Sequence, residues 1–246
     1  MLNGYKAVFF DLDNTLCDYW GSSRQALTLA LDLALRHYPA LDRETLRRDY
    51  FRVQREAELA AGGLGGLARR ERFAAALSRS GVEDTALAAT LADLYEDRLV
   101  AGLFLFPDVL AVLDRLAARY TLGLLTNGPG PVQRRKLVAL HLGRRFSPIV
   151  ISEEVGLAKP DPRIFRYALD LAGVRPEQTL FVGDSLDHDV AGARAAGVPV
   201  VWLNRRSREL DPAFPTPDYT AADLWAVLLL LEPGALVLDG AEGDRR

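Results

Sequence analysis

Cysteine is almost missing from this 246-residue chain, with Cys17 the only one. An internal disulfide is therefore excluded, and a reducing compartment is expected. Net charge is nearly missing too: 30 basic against 33 acidic residues leave −3. Nothing in that balance calls for a nucleic-acid polymer or an anionic membrane as partner. Histidine is scarce, and His37 and His141 lack the spacing of metal ligands. The longest apolar run, Leu224–Leu231, falls far short of the roughly 20 residues a bilayer needs. No internal repeat is visible. Residues 1–6 lead straight into a strand rather than a secretory leader. The expectation is a cytoplasmic protein, monomer or homodimer, with a small molecule as partner.

What is present suits a globular fold. Hydrophobic residues make up 49% of the chain and charged ones 26%, enough to bury a sizeable core. The most informative stretch is the run from Val8 to Thr15. Apolar residues 7–10 read as a buried strand, and Asp11 and Asp13 follow where it should end. A carboxylate at such a point can be a nucleophile, and a second one two residues on can move protons. Alone, the pair reads equally well as turn and cap residues.

Residues 18–102 contain no convincing strand. Leu27, Leu31 and Leu35, then Leu46, Tyr50 and Val53, then Phe73, Ala76 and Leu77, then Leu87, Leu91 and Leu94 recur at helical spacing. Beyond Pro107 helices alternate with short apolar strands. A helix carries Val109, Val112, Leu113 and Leu116, and strands are read at 121–125, 148–151, 179–182 and 200–203. Helices at 131–141, after Asp161-Pro162, and up to Gly197 separate them. Such alternation predicts an α/β fold, a doubly wound, Rossmann-like parallel sheet. The helical stretch makes an inserted cap after the first strand. The core is read as 1–17 and 103–246 and the cap as 18–102. Such a cap would enclose a small ligand and exclude water.

Three more polar clusters fall at or beyond strand ends. Thr126, Asn127 and Gly128 offer a hydroxyl, an amide and backbone N–H groups suited to phosphate oxygens. Lys159 precedes Pro160, in a segment read as extended. Asp184 and Asp189 flank a turn that enters the next helix. Convergence of these loops would crowd Asp11, Asp13, Asp184 and Asp189 together and raise their pKa values unless a cation compensates. An all-oxygen donor set fits Mg2+, with Lys159 as further positive charge. The chemistry implied is in-line phosphoryl transfer to a carboxylate.

The segments DLDNT (11–15), TNG (126–128), EEVGLAKPDPRIF (153–165) and GDSLDHDVAGARAAG (183–197) together resemble the haloacid dehalogenase superfamily of hydrolases. That resemblance implies a capped parallel sheet and an aspartyl-phosphate on Asp11. It implies Asp13 as general acid and base, and Thr126 and Lys159 holding the phosphoryl group. Magnesium would be held by Asp184, the Asp11 carboxylate and the Asp13 backbone carbonyl, with Asp189 in support. Dehalogenating members lack the second aspartate, so Asp13 argues for a phosphatase. Many members have Gly where Asn14 stands. The run VISEEVGLAKPDPRIFRYAL, with VWLN at 201–204, resembles pyrimidine 5′-nucleotidases, and TNGPGPVQRRKL resembles N-acylneuraminate-9-phosphatases. A nucleoside 5′-monophosphate is the first substrate expected; other sugar phosphates, a phosphomutase and a non-catalytic binding protein follow.

Other conspicuous residues are read as structural. Arg69-Arg70, Arg134-Arg135-Lys136 and Arg205-Arg206 look like solvated faces or helix ends. Trp20, Trp202, Trp225 and Cys17 read as packing. His188 has no catalytic step. Residues 62–66, rich in glycine, read as a turn between cap helices, and the tail from Glu232 as loosely ordered.

Overall fold

The computed structural model describes residues 4–60 and 67–232. The expectations for residues 62–66 and for the tail beyond Glu232 lie outside them. The chain divides into two compact units, one running to Asp18 and resuming at Phe104, the other Tyr19–Leu103.

Among the described residues the first unit is built on a six-stranded, all-parallel sheet of order β3-β2-β1-β4-β5-β6. The strands are β1 (Ala7–Phe10), β2 (Thr121–Thr126), β3 (Ile149–Ile151), β4 (Thr179–Gly183), β5 (Val200–Leu203) and β6 (Tyr219–Ala221). All residues of β1, β4 and β5 are buried, as expected of strands covered on both faces. From β1 the chain winds one way through β2 and β3 and the other way through β4 to β6. The topological switch, where ligands bind in open α/β sheets, thus lies at β1.

Helices of this unit follow the expected signals. The helix Val109–Ala117 buries Val109, Val112, Leu113 and Leu116. The helix Pro162–Ala172 is capped by Asp161 Oδ1, which accepts from the Arg163 N–H at 2.9 Å, and stops at Gly173. One face of the sheet buries Phe9, Leu125, Phe165 and Phe181 in a common cluster, with the Phe165 and Phe181 rings edge to face at 5.1 Å. The apolar run Leu224–Leu231 is a helix capped by Asp223. No helix among the described residues is long and apolar enough to cross a membrane.

Two expectations are corrected in this unit. β6 was not foreseen; only three residues long, it pairs Tyr219 with Val201 at the sheet edge. Arg205 is not a solvated helix end. Its guanidinium donates twice to the buried Asp108 carboxylate, at 3.0 Å each, and to the Thr15 carbonyl at 3.2 and 3.3 Å. A third bond to Asp108, from the Leu224 N–H at 2.7 Å, completes a network that ties the loop after β1 to the loop after β5.

The second unit comprises α1 (Tyr19–His37), α2 (Arg43–Ala60), α3 (Arg69–Arg79) and α4 (Thr85–Ala101). Its core holds Leu27, Leu31, Leu46, Tyr50, Phe73, Leu77, Leu87 and Leu91, while Leu35 is partly buried against it. Asp84 caps α4 through the Leu87 N–H at 2.8 Å. Trp20, expected as buried packing at the start of the cap, is 49% exposed.

Candidate active site

Asp11 follows β1 without a break, its N–H donating to the Val182 carbonyl at 3.0 Å, so the ladder itself delivers its buried side chain. Asn14, three residues on, has φ 63°, in the left-handed region that asparagine tolerates better than most residues. That accounts for Asn where glycine is also accepted.

The buried Lys159 ammonium lies 2.6 Å from Asp11 Oδ1 and 2.7 Å from Asp189 Oδ1. Asp11, Asp184 and Asp189 each offer an oxygen within 4.8 Å of the others. Gly183 is required here, since a Cβ would fall 2.3 Å from Asp189 Oδ2. Both oxygens of Asp189 are engaged, Oδ1 by Lys159 and Oδ2 by the Ser185 N–H at 3.1 Å. Asp11 meets Lys159 through Oδ1 alone. The Asp184 carbonyl accepts from Trp202 Nε1 at 3.0 Å and Arg208 Nη2 at 2.6 Å, which fixes the loop carrying its carboxylate.

Three carboxylates facing Lys159, with Arg208 3.8 Å from Asp184, leave an excess of negative charge. Burial pushes Asp184 up to about 8, helped by Asp189 and Asp11. Burial also pushes Asp11 up to about 7; Lys159 opposes, while Asp189 and Asp13 add to the rise. For Lys159, burial works against the charge, but Asp11 and Asp189 more than offset it and hold the ammonium above its ordinary range. A hard divalent cation fits this set: its donors are all oxygen, and its charge offsets the burial and repulsion that raise two of them.

The loop after β2 carries Thr126, Asn127 and Gly128, expected to bind phosphate, and each is anchored within the protein. Asn127 pairs with the Lys159 backbone at both ends of its amide, Nδ2 donating to the carbonyl at 2.8 Å and Oδ1 accepting from the N–H at 2.9 Å. Gly128 has φ 139° and its N–H donates to Ser152 Oγ at 2.9 Å. The Thr126 side chain is fully buried, and its Oγ1 receives a bond from Gln133 Nε2 at 2.6 Å.

Two residues at this site were missed by sequence reasoning. Both lie on the helix Gly130–Ala139, whose basic run Arg134-Arg135-Lys136 was expected to be a solvated face or helix end. Lys136 is 2% exposed, and its ammonium contacts Asp13 Oδ2 at 2.6 Å and Oδ1 at 2.9 Å. Gln133, 1% exposed, also reaches Asp13 Oδ2 at 3.4 Å. The signal was available: Gln133, Lys136, Leu137 and Leu140 fall at i, i+3, i+4 and i+7, so both polar residues share the face that buries the leucines.

Residues 5–197 match the haloacid dehalogenase-like hydrolase family. The phosphoserine phosphatase of Thermus thermophilus is 48% identical over 51% of this chain, and the match spans half of that relative's length. The mouse N-acylneuraminate-9-phosphatase is 31% identical over 94% of this chain and 95% of its own. A crystal structure of a HAD-hydrolase from Bacillus subtilis, bound to magnesium, superimposes with a TM-score of 0.73 at 26% identity, covering 94% of this chain and all of that one.

Proposed function

The chain belongs to the haloacid dehalogenase-like hydrolases as a phosphatase of small phosphomonoesters, and we propose that it works through an aspartyl-phosphate on Asp11. The observation that carries this is the Lys159 ammonium, buried between Asp11 and Asp189 with Asp184 alongside. A nucleophile and further oxygen ligands from the ends of β1 and β4 share one volume with the Lys159 cation. No structural need explains so many buried charges.

In this reading Asp11 attacks phosphorus in line, forming a carboxyl O–P bond as the ester O–P bond breaks. Asp13 gives a proton to the departing ester oxygen, and then takes one from the water that cleaves the aspartyl-phosphate. Lys159 offsets charge on the equatorial oxygens, held in place by Asn127 through its own backbone. Lys136 holds both oxygens of Asp13 and so positions the side chain that exchanges the proton. Asp189 orients Lys159, since both its oxygens are already engaged.

Magnesium would be held by the Asp11 and Asp184 carboxylates and the Asp13 backbone carbonyl, and would supply positive charge to the transferring phosphoryl group. The exclusively oxygen donor set and the raised Asp11 and Asp184 support that choice.

The finer reading, a nucleoside 5′-monophosphate as substrate, rests on core segments at 150–169 and 201–204. An acidic sugar phosphate is the second reading, favoured by the relative that matches over 94% of the chain. Phosphate release from a panel of nucleotides and sugar phosphates, with magnesium, tests both. Turnover of a nucleoside monophosphate above all others supports the first; isomer formation without free phosphate would point to a mutase.

A further inference from the structure

The residues just after β5, 204–208, form a turn closed on itself. Asn204 Oδ1 accepts from the Arg208 N–H at 2.9 Å, and Asn204 Nδ2 donates to the Arg208 carbonyl at 2.8 Å. The Ser207 N–H returns to the Asn204 carbonyl at 3.2 Å, and the Asn204 N–H donates to the Ala221 carbonyl of β6 at 2.7 Å. A turn bonded this way is a firm base for its side chains. Two of them reach loops that carry acidic residues of the site. Arg208 donates to the Asp184 carbonyl at 2.6 Å, and Arg205 donates to the Thr15 carbonyl at 3.2 and 3.3 Å.

Arg205 is the more deeply set, with 14% of its side chain exposed. Every nitrogen of its guanidinium is engaged: Nε and Nη2 on Thr15, Nη1 and Nη2 on the Asp108 carboxylate. The Phe106 ring centre lies 4.2 Å from its Cζ, so the planar group is fixed on a face as well as at its edges.

Thr15 belongs to the turn that carries Asp13. The Leu12 carbonyl accepts from the Leu16 N–H at 2.9 Å, and the Cys17 carbonyl accepts from the Asn14 N–H at 2.8 Å. Those bonds close the turn internally. The Arg205 bonds, and one of 3.1 Å from the Phe106 N–H to the Leu16 carbonyl, fasten it to neighbouring segments. A group that moves protons needs placement to within about 0.5 Å, and charge-assisted bonds to its backbone provide that.

We propose that Arg205 is a positioning residue for the proton transfers of Asp13: fixed by Asp108, its guanidinium holds the Thr15 carbonyl and with it the turn on which Asp13 stands. Lys136 holds the Asp13 side chain; Arg205 holds the backbone beneath it. The role given to Asp13 rests on the phosphatase reading, whereas the hold on the turn does not.

The test has two arms on the full-length protein and Arg205→Met. Cys17, the only cysteine of the chain, is buried in the same turn and reports on it. Labelling with a thiol-reactive disulfide in native buffer should run about tenfold or more faster in Arg205→Met, at a rate that low urea does not change, the mark of local opening. The second arm compares kcat/KM for ethyl phosphate, which needs the proton of Asp13, and for 4-nitrophenyl phosphate, which does not. The loss in Arg205→Met should be about tenfold or more greater for ethyl phosphate, whereas a merely structural lesion lowers both alike. Arg205→Met with Asp108→Asn orphans neither charge and gives the same readings should the single variant fail to fold. An unchanged thiol rate overturns the hold, and equal losses for the two esters overturn its service to Asp13. Failure of the wild-type protein to cleave any ester would refute the phosphatase reading, and the thiol rate would still decide whether Arg205 holds the turn.

Discussion

The Lys136 ammonium reaches both carboxylate oxygens of Asp13, at 2.6 and 2.9 Å, with only 3% of the lysine side chain exposed. In the proposed reaction this pair brings a helix after β2 to the residue that moves the proton. Lys136→Met leaves Asp13 without its cation and free to turn. Breaking a buried pair costs about 3 kcal/mol, and misplacing a reacting group costs about 100-fold in rate. Urea unfolding and steady-state kinetics should show both losses. An unchanged kcat would remove Lys136 from the account.

Asp13→Asn cannot deliver or take the proton. A fall in kcat of about 10²–10⁴-fold is expected, with the fold unchanged. The loss should be smaller in the phosphorylation step with 4-nitrophenyl phosphate, whose leaving group departs unprotonated, than with an alkyl phosphate. Rapid mixing separates the steps; equal losses for both esters would argue against Asp13 as the acid.

Metal and pH should act together. Asp11 and Asp184 are raised in the folded state to about 7 and about 8, against an ordinary 3.8. Between about pH 4 and pH 8 the folded protein therefore holds protons that the unfolded chain has lost. Stability without metal falls as pH rises through that window. Magnesium, binding the ionised carboxylates of the folded form, adds stability mainly at the alkaline end. Thermal melts at pH 5 and pH 8, in chelator and in magnesium, should show a Tm drop in chelator that the metal reverses. A Tm that rises with pH in chelator would contradict the charge balance described.

Gln133 donates to Thr126 Oγ1 at 2.6 Å, and the neighbouring Asp13 carboxylate, an acceptor only, fixes the amide with its NH2 inward. The threonine is then left to donate its own proton. Gln133→Glu reverses the polarity: the new carboxylate accepts from Thr126 and stands beside Asp13. Affinity for inorganic phosphate in the presence of magnesium should fall about tenfold, the worth of roughly one hydrogen bond to a charged group. Calorimetry on this variant and on Gln133→Leu checks it; Gln133→Glu binding as tightly as wild type would show that the bond does not set the hydroxyl's direction.

How much could be read beforehand follows from where each signal resides. β1, β4 and β5 are buried throughout, so they appear in the sequence as unbroken apolar runs with polar residues where they end. Asp11 and Asp184 stand out for that reason. β6 has three residues amid prolines and aspartates, and only its pairing with β5 makes it a strand. Lys136 sits in a basic triplet and Arg205 in a basic doublet. Such runs read as solvated until the partner, Asp13 or Asp108 more than 90 positions away, is in place. Trp20 shows the opposite failure, a large apolar side chain left half exposed.

The most direct test of the central claim is to trap the covalent intermediate. Protein turning over a phosphate ester with magnesium is quenched in acid, reduced with borohydride and digested for mass spectrometry. Reduction converts a phosphorylated aspartate to homoserine, and the account places that change at position 11, absent without substrate and absent in Asp11→Asn. Phosphate release with homoserine at another aspartate, or with Asp11→Asn still turning over, would contradict it.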